Sequence, residues 1–283
     1  MKIRWRITIA VTVLVCTTGM AVAMQRGWGR RSGFGDISVD RNGVPTWDND
    51  VQMKEDVFTF VRVRYDSGYG RYGRGGGGGW ATDFPDSDLN FSLRLQQLTS
   101  LKVNPNPIIL DLTDPKLLDY PFLYMIEPGR MELSEAEVVA LRRYCLNGGF
   151  LMVDDFWGED QWENFYMELK RVFPDREATE VPLEHEIFHC VYDLKEKPQV
   201  PSIHAWLGSG VTYEGWRGGG DTTVAHYRAF YDDAKRIMVF ICHNTDLGDG
   251  WEREGENHEY FQEFAVKKSY PMGINIVTYA MTH

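Results

Sequence analysis

From about residue 56 onward, the sequence alternates between apolar runs typical of strands and segments typical of capped helices, and this alternation constrains the fold most. The clearest helix is predicted in LSEAEVVALRRYCLNGG, where Ser134 and Glu137 can form a capping box and Gly148 can end the last turn. The apolar run FLMVDD follows directly and predicts a buried strand. Alternation of this kind indicates an α/β fold, with a mostly parallel sheet and helices on both faces.

Further strands are predicted in VFTFVRVRY, PIILDL and FLYMIE, and we expect the first of these and FLMVDD to be neighbouring central strands. Residues Asp86, Ser87 and Asp88 can cap a helix that runs through LNFSLRLQQLTSL, and another helix is predicted after FLMVDD. The runs TVAHYRAFYD and RIMVFICHN predict an antiparallel hairpin added to the sheet. A final helix is predicted in PMGINIVTYAMTH.

The amino-terminal residues predict export. A basic start, MKIRWR, precedes the apolar run ITIAVTVLV and the small residues Ala21 and Ala23, which together form the three parts of a secretory signal peptide. We therefore expect cleavage after residue 23 and a location in the periplasm or cell envelope; an uncleaved membrane anchor is the alternative. Residues 24–55 lack periodicity and are expected to form a surface or disordered leader. The domain is then expected to span residues 56–283.

The bulk composition excludes some functions. A formal net charge of −11 argues against binding to nucleic acid through a general electrostatic field. After the predicted signal peptide, three cysteines remain in apolar surroundings, Cys145, Cys190 and Cys242. An odd number without a close pair does not indicate a disulfide framework, and buried small hydrophobic residues are the better interpretation.

A glycine loop, GYGRYGRGGGGGW at residues 68–80, follows the first predicted strand. Its opening G-x-G-x-x-G resembles a dinucleotide fingerprint, but the glycines do not lead into a helix, and Asp83 follows where a phosphate would be repelled. We therefore expect no nucleotide here. The aromatic and arginine side chains suit stacking on a sugar or an extended polymer, and a mobile surface loop is the alternative. The candidate ligand-binding residues of the loop are Tyr69, Arg71, Tyr72 and Trp80.

Acidic residues and histidines follow the predicted strands. Asp154 and Asp155 end FLMVDD, and His243 begins HNTDLGDGWE after the last strand. In a parallel sheet these segments should converge beyond the carboxyl ends of the strands, in one acidic pocket that also receives His185. Candidate catalytic residues are Asp154, Asp155 and His243; further ligand-binding candidates are His185, Asn244 and Asp246; candidate cation ligands are Asp154, Asp155, Asp246 and Asp249, with Glu252.

Each of these candidates also has a purely structural interpretation. One of the two aspartates can cap the next helix, and the Asp and Gly residues of HNTDLGDGWE are typical of a tight turn. His185 and His189 have i, i+4 spacing, but their apolar neighbours indicate an extended segment and structural histidines.

Several stretches resemble an uncharacterised family of exported bacterial proteins, domain of unknown function 4159: FTFVRVRYDSG, GGWATDFPDSDLNF, GGFLMVDDFWG, HEIFH, HNTDLGDGWE and GINIVTYAMT. The resemblance implies the flavodoxin-like layout of class I glutamine amidotransferases and a distant relation to the trehalose-utilisation (ThuA-like) proteins. In that layout a cysteine nucleophile occupies the turn after a central strand. Here Asp154 and Asp155 occupy that turn, without a Cys or Ser, and we expect no thiol catalysis of this kind.

The function expected from the sequence is a non-catalytic, exported domain that binds a glycan or another envelope polymer. The alternatives are a metal-assisted hydrolase of a carbohydrate-like substrate, built on Asp154, Asp155 and His243, and an envelope scaffold. A divalent cation is the candidate cofactor. Neither a nucleotide nor a nucleic acid is expected as a partner.

Overall fold

The computed structural model describes residues 40–49, 56–67, 79–215 and 219–283. The predicted signal peptide, much of the predicted leader and the centre of the glycine loop, with Tyr69, Arg71 and Tyr72, lie outside these residues. Residues from Arg41 onward belong to one compact unit, and only Asp40 is described from the unit before it. Within the described ranges, no helix is long and apolar enough to cross a membrane.

A seven-stranded sheet lies at the centre of the unit, and it is mostly parallel. With strands numbered along the chain, its spatial order is β5 (Ile108–Asp111), β2 (Val61–Arg64), β6 (Phe122–Ile126), β8 (Phe150–Phe156), β11 (Ile237–His243), β10 (His226–Tyr231) and β9 (Thr179–Glu180). The first five strands are parallel, whereas β10 is antiparallel to both of its neighbours. The predictions of an α/β fold and of an added antiparallel hairpin are therefore confirmed.

Two small sheets and the helices complete the unit. Strand β1 (Val57–Phe58) pairs with β4 (Lys102–Val103), and β3 (Asp66–Ser67) pairs with β7 (Met131–Glu132). The α-helices are α1 (Asp86–Leu98), α2 (Glu135–Leu146), α3 (Gly158–Val172), α4 (Ile203–Ser209), α5 (Leu247–Glu252), α6 (His258–Tyr260) and α7 (Tyr270–Thr282). A π-helical segment (Phe261–Ser269) joins α6 to α7, and short 3-10 turns lie at Pro115–Asp119, Pro128–Arg130 and Glu186–Phe188.

The predicted capping box starts α2. Ser134 Oγ accepts a hydrogen bond from Glu137 N (3.3 Å), and Glu137 Oε2 accepts one from Ser134 N (2.8 Å). These two bonds satisfy donors that the first turn of a helix leaves free.

The sheet separates two apolar cores. Met152 and Phe240 point to the side covered by α1, α5 and α7, which we call the α7 face. Val153 and Ile241 point to the side covered by α2 and α3, which we call the α3 face. Because successive side chains of a strand point to opposite sides, the face of any strand residue follows from its position in the strand.

Three predictions about these elements are wrong in detail. Strands β2 and β8 are not neighbours, because β6 pairs with both and lies between them. The run VFTFVRVRY forms two strands, β1 and β2, that belong to different sheets. Helix α1 begins without a side-chain cap, and Asp88 instead pairs with Arg62 on β2.

Part of the predicted leader packs on the domain. Trp47 Nε1 and Asn49 Nδ2 both donate to the carbonyl oxygen of Val103, at 2.7 and 2.9 Å. Among the cysteines, Cys145 and Cys242 are buried as expected. Cys190 is exposed, because it lies on a surface turn near α7 rather than in the core, and its thiol contacts the carbonyl oxygen of Asn275.

Candidate functional site

Three adjacent parallel strands end in residues with left-handed backbone conformation. Glu127 follows β6 with φ +49°, Asp155 lies at the end of β8 with φ +53°, and Asn244 follows β11 with φ +59°. For residues other than glycine this conformation is uncommon and costs about 1 kcal/mol or more. Strained residues of this kind cluster at functional sites, so the carboxyl edge of the sheet is the first place to look for one.

Asp154 lies on the α7 face at this edge and is fully buried. Its Oδ1 accepts from Leu247 N (3.2 Å), and its Oδ2 accepts from Gly248 N (2.9 Å) and from the Tyr124 hydroxyl (3.2 Å). Burial and the neighbouring Asp155 raise the pKa of Asp154 to about 7, although these hydrogen bonds oppose the rise. Both oxygens are used to hold the start of α5, which is a structural role.

Asp155 interrupts the pairing of β8 with β11. The register runs Val239 to Leu151 and Ile241 to Val153, but His243 then pairs with Phe156 instead of Asp155. The left-handed Asp155 is thus one extra residue in β8, as in a β-bulge. Its Oδ1 accepts a hydrogen bond from Trp157 Nε1 (2.9 Å).

His243 points to the α3 face, away from Asp154. Its ring packs on Phe156 and Trp162, with centroids 4.8 and 5.4 Å apart. Its Nε2 lies 3.1 Å from the carbonyl oxygen of Gly158, and its Nδ1 lies 3.1 Å from Arg228 Nη1. Burial, together with the Arg228 charge, lowers the pKa of His243 to about 3, so the ring is neutral. The prediction that His243 faces Asp154 and Asp155 is wrong for Asp154, because β8 and β11 present Asp154 and His243 on opposite faces of the sheet.

His185 also lies outside the predicted pocket. It precedes a 3-10 turn, not an extended segment, and its Nδ1 accepts from Ile187 N (3.2 Å). Its ring lies 5.7 Å from that of Tyr279, whose hydroxyl is hydrogen-bonded to the backbone of Ile237. Ile237 begins β11, and the strand carries the chain about 20 Å from there to its carboxyl end. His185 is therefore near the opposite edge of the sheet.

Asn244 and Asp246 have local structural partners. Asn244 Oδ1 accepts from Gly158 N (2.8 Å) and its Nδ2 donates to the carbonyl oxygens of Asp221 (3.1 Å) and Val224 (3.0 Å), so the amide fixes the start of α3. Asp246 caps α5 by accepting from Asp249 N (2.8 Å). Burial and nearby Asp155 raise the pKa of Asp246.

The structure brings together a different group of acids, Asp83, Asp249 and Glu252, which we call the carboxylate triad. One carboxylate oxygen from each lies within 4.8 Å of the others. Asp249 and Glu252 are three residues apart on α5 and therefore share a helix face, whereas Asp83 comes from the segment before α1. Burial raises the pKa of Asp83, and Asp249 and Glu252 raise it further. Burial and Asp249 raise the pKa of Glu252 to about 7, against the effect of Arg253.

Other side chains of the protein neutralise only part of the negative charge of the carboxylate triad. Arg253 Nε lies 2.6 Å from Glu252 Oε2 and 3.5 Å from Asp249 Oδ1. Asp249 Oδ2 also accepts from Ile203 N (2.7 Å) and contacts the Tyr260 hydroxyl (3.0 Å). Asp83 Oδ2 is buried and has no hydrogen-bond partner among the residues that the structure describes.

A glycine lets Asp83 approach α5. A Cβ atom on Gly248 would lie 2.7 Å from the Tyr124 hydroxyl oxygen and 2.8 Å from Asp83 Oδ2, closer than such atoms can come. The Asp83 carboxylate is therefore turned toward the helix that carries Asp249 and Glu252.

Arg62 on β2 holds the segment that contains Asp83. Its guanidinium is fully buried and donates to Asp88 Oδ2 (2.9 Å), to Ser87 Oγ (2.9 Å) and to the carbonyl oxygens of Trp80 (3.0 Å) and Thr82 (2.8 Å). Burial alone would lower the pKa of Arg62, but the Asp88 carboxylate raises it. The sequence reasoning missed the roles of Arg62 and Asp83. The available signal was the pattern VRVR, which places one arginine on a buried face where it needs a partner.

The described ends of the glycine loop lie at the same edge. Ser67 pairs with Met131 next to the end of β6, and Glu127 Oε2 accepts from Gly79 N (2.5 Å) and from Thr82 Oγ1 (3.1 Å). Trp80 is half-buried, with Arg64 6.0 Å from its ring.

Tyr260 at the end of α6 and Ser269 at the end of the π-helical segment hold α5 from its other side. The Tyr260 hydroxyl lies 2.7 Å from the carbonyl oxygen of Pro201 and contacts Asp249, while Ser269 Oγ donates to the carbonyl oxygen of Leu247. Gly250 packs directly against Ser269, because a Cβ there would lie 2.6 Å from that of Ser269. The first turn of α5 is thus held by Asp154 on one side and by Tyr260 and Ser269 on the other.

Fold and site together define an α/β protein whose mostly parallel sheet gathers carboxylates at its carboxyl edge. The chain belongs to the family described as a domain of unknown function, DUF4159, which matches residues 59–281. Among curated proteins, none matches the chain significantly.

Proposed function

We propose that the chain is an exported, non-catalytic domain that binds a glycan or a similar envelope polymer at the carboxyl edge of a flavodoxin-like sheet. The observation that carries this proposal is the position of the carboxylate triad. When the five parallel strands are numbered by their order in the chain, their spatial order is 2-1-3-4-5, which is the flavodoxin-like order. Ligands of such sheets bind beyond the carboxyl ends of the strands, where the strand order reverses.

The strand order reverses between β2 and β6. Arg62 on β2 fixes the segment of Asp83, and Tyr124 on β6 lies beside the position of Asp83 Oδ2. The triad is therefore located where this topology favours a ligand.

Binding is favoured over hydrolysis because the predicted catalytic group is not assembled. Both oxygens of Asp154 are used by α5 and Tyr124, and His243 lies on the other face of the sheet with its two ring nitrogens in contact with Gly158 and Arg228. A hydrolase built on these residues would lack a base near its acid.

The partly exposed residues at this edge suit a polyhydroxylated ligand. Trp80, Asp83 and Glu252 are half-buried, so each presents some surface to solvent. Carboxylates accept hydrogen bonds from hydroxyl groups, and an indole ring provides an apolar face for a sugar ring. Export, which this function needs, rests on the amino-terminal signal sequence.

The proposal is tested by titrating soluble glycans and solubilised cell-wall polymers into the purified protein, with calorimetry as the readout. Trp80→Ala should weaken binding by about five-fold or more, since an aromatic contact is worth roughly 1 kcal/mol or more. Tyr166→Ala, a half-buried aromatic residue on α3, is the matched control and should bind like the unmodified protein. Equal loss in both variants, or no binding to any polymer, would contradict the proposal, and cleavage of a polymer would favour the hydrolase.

Export is tested separately by fractionating cells that express the native gene and sequencing the amino terminus of the product. A chain that starts at Met24 in the envelope fraction is expected. Full-length chain in the cytosol would refute export, and full-length chain in the membrane would indicate an uncleaved anchor.

A further inference from the structure

We propose that Asp83, Asp249 and Glu252 form a binding site for a hard divalent cation, with Ca²⁺ as the preferred ion. This proposal is independent of the polymer-binding function, because it depends only on the structure of the triad and its surroundings. The site also differs from the ligand set expected from the sequence. Asp154 and Asp246 hold the start of α5, Asp155 lies outside the triad, and Asp249 and Glu252 are kept.

The distances fit one ion. The three carboxylate oxygens lie within 4.8 Å of one another. Calcium binds oxygen ligands at about 2.3–2.6 Å, so two oxygens on opposite sides of the ion are about 5 Å apart, and neighbouring ligands are closer. A single Ca²⁺ can therefore contact all three oxygens without a rearrangement of the backbone.

The type and charge of the ligands select the ion. The triad offers only carboxylate oxygens, which suit Ca²⁺ or Mg²⁺ and not the softer metals that prefer nitrogen or sulfur. Three ionised carboxylates and the contacting Arg253 leave two negative charges, which one divalent ion would neutralise. Asp249 and Glu252 lie on one face of α5, and Asp83 contributes its carboxylate from the segment before α1.

A second observation is independent of the acid cluster itself. Asp83 Oδ2 is a buried carboxylate oxygen without a hydrogen-bond partner in the described parts of the chain, and it is turned toward α5 across Gly248. Leaving a buried polar atom unsatisfied costs about 1–3 kcal/mol. A cation at the triad would satisfy this oxygen.

The experiment titrates CaCl₂ into the metal-free full chain and follows both the heat of binding and the melting temperature. One ion should bind and raise the melting temperature, with an affinity in the range of extracellular calcium modules, Kd of about 10⁻⁴–10⁻³ M. Asp83→Asn and Glu252→Gln keep the shape of each side chain and remove one charge. Each should weaken calcium binding by about ten-fold or more.

Two exposed acids provide matched controls, Asp119→Asn and Glu259→Gln. Both should bind calcium like the unmodified protein. Without calcium, Asp83→Asn and Glu252→Gln should melt at the same or a higher temperature than the unmodified protein, because each relieves repulsion among the carboxylates. A lower melting temperature together with unchanged calcium affinity would show that the two residues have a merely structural role. That result would overturn the proposal.

Magnesium and manganese are titrated in the same way. If either ion binds more tightly than calcium and its binding depends on Asp83 and Glu252 in the same way, the site is supported and that ion replaces calcium as the preferred one. No binding of any of the three ions at millimolar concentration, or equal binding by all variants, would overturn it. Because no polymer is present, failure of the polymer-binding function leaves this result unaffected.

Discussion

Arg62 and Asp88 form an ion pair in which both side chains are completely buried, beneath the chain segment that carries Asp83. The pair joins the second strand of the central sheet to the first turn of α1. Because all five guanidinium N–H groups can be accounted for by Asp88, Ser87 and the carbonyl oxygens of Trp80 and Thr82, the arginine is satisfied without water.

Removing either partner of this pair should strongly destabilise the fold. Arg62→Met and Asp88→Asn should each lower the free energy of unfolding by about 3–5 kcal/mol, since each leaves a buried charge or donor group uncompensated. Urea unfolding measures the change. Arg142→Met, which breaks a partly exposed pair with Asp175 and a hydrogen bond to the carbonyl oxygen of Val172, should cost about 1–2 kcal/mol and is the control. A loss of similar size in Arg62→Met and Arg142→Met would contradict the assignment.

Asp154 should contribute to stability through α5. Asp154→Ala leaves Leu247 N and Gly248 N without their acceptor and should lower the free energy of unfolding by about 2–4 kcal/mol. Amide hydrogen exchange should accelerate first at these two positions. If exchange there is unchanged, Asp154 does not hold the helix; Asp119→Ala, at an exposed acid, is expected to change neither quantity.

His243 should make the protein sensitive to acid. Its pKa is lowered to about 3 in the folded protein, so its contribution to stability is complete above the unfolded value of about 6.5 and is lost as the pH falls toward 3. The loss at pH 5 should be about 2 kcal/mol. Comparing the unfolding free energy at pH 7 and pH 5 for the unmodified protein and His243→Gln isolates this effect. An identical pH dependence in both proteins would show that His243 is not a buried neutral ring.

Gly248→Ala should damage the cation site. Replacing a helical glycine by alanine usually stabilises a protein by about 0.5–1 kcal/mol. At Gly248 the new methyl group would collide with Tyr124 and displace Asp83, so we expect lower stability and weaker calcium binding. Gly208→Ala, on α4 with no atom within 4 Å of the added carbon, is the matched control and should be neutral or stabilising. Normal calcium affinity in Gly248→Ala would argue against Asp83 as a ligand.

Features that depend on one short stretch of chain could be predicted from the sequence. The capping box of Ser134 and Glu137 is an example, because both partners lie within four residues. The hairpin of β10 and β11 is another, since its strands are separated by a short turn. The location of the acids at the carboxyl edge of the sheet could also be predicted, because the carboxyl ends of parallel strands all lie at one edge.

Features that depend on the order and exact pairing of strands could not be predicted. Nothing local indicates that β6 lies between β2 and β8, or that Arg62 and Asp88, 26 residues apart, are partners. The extra residue at Asp155, which shifts the pairing of β8 with β11 by one position, also has no local signal in the sequence. Asp83 looked like a loop acid because its neighbours in the triad come from the far end of the chain.

The π-helical segment has a geometric consequence for α5. Tyr260 and Ser269 are nine residues apart, and both contact α5 or its ends. In an α-helix, nine residues make two and a half turns, so two such side chains would point in opposite directions. Hydrogen bonding from i to i+5 puts more residues into each turn, and nine residues then make roughly two full turns. The wider winding therefore brings both residues to the side that faces α5, where they contact its first turn at Leu247 and Asp249.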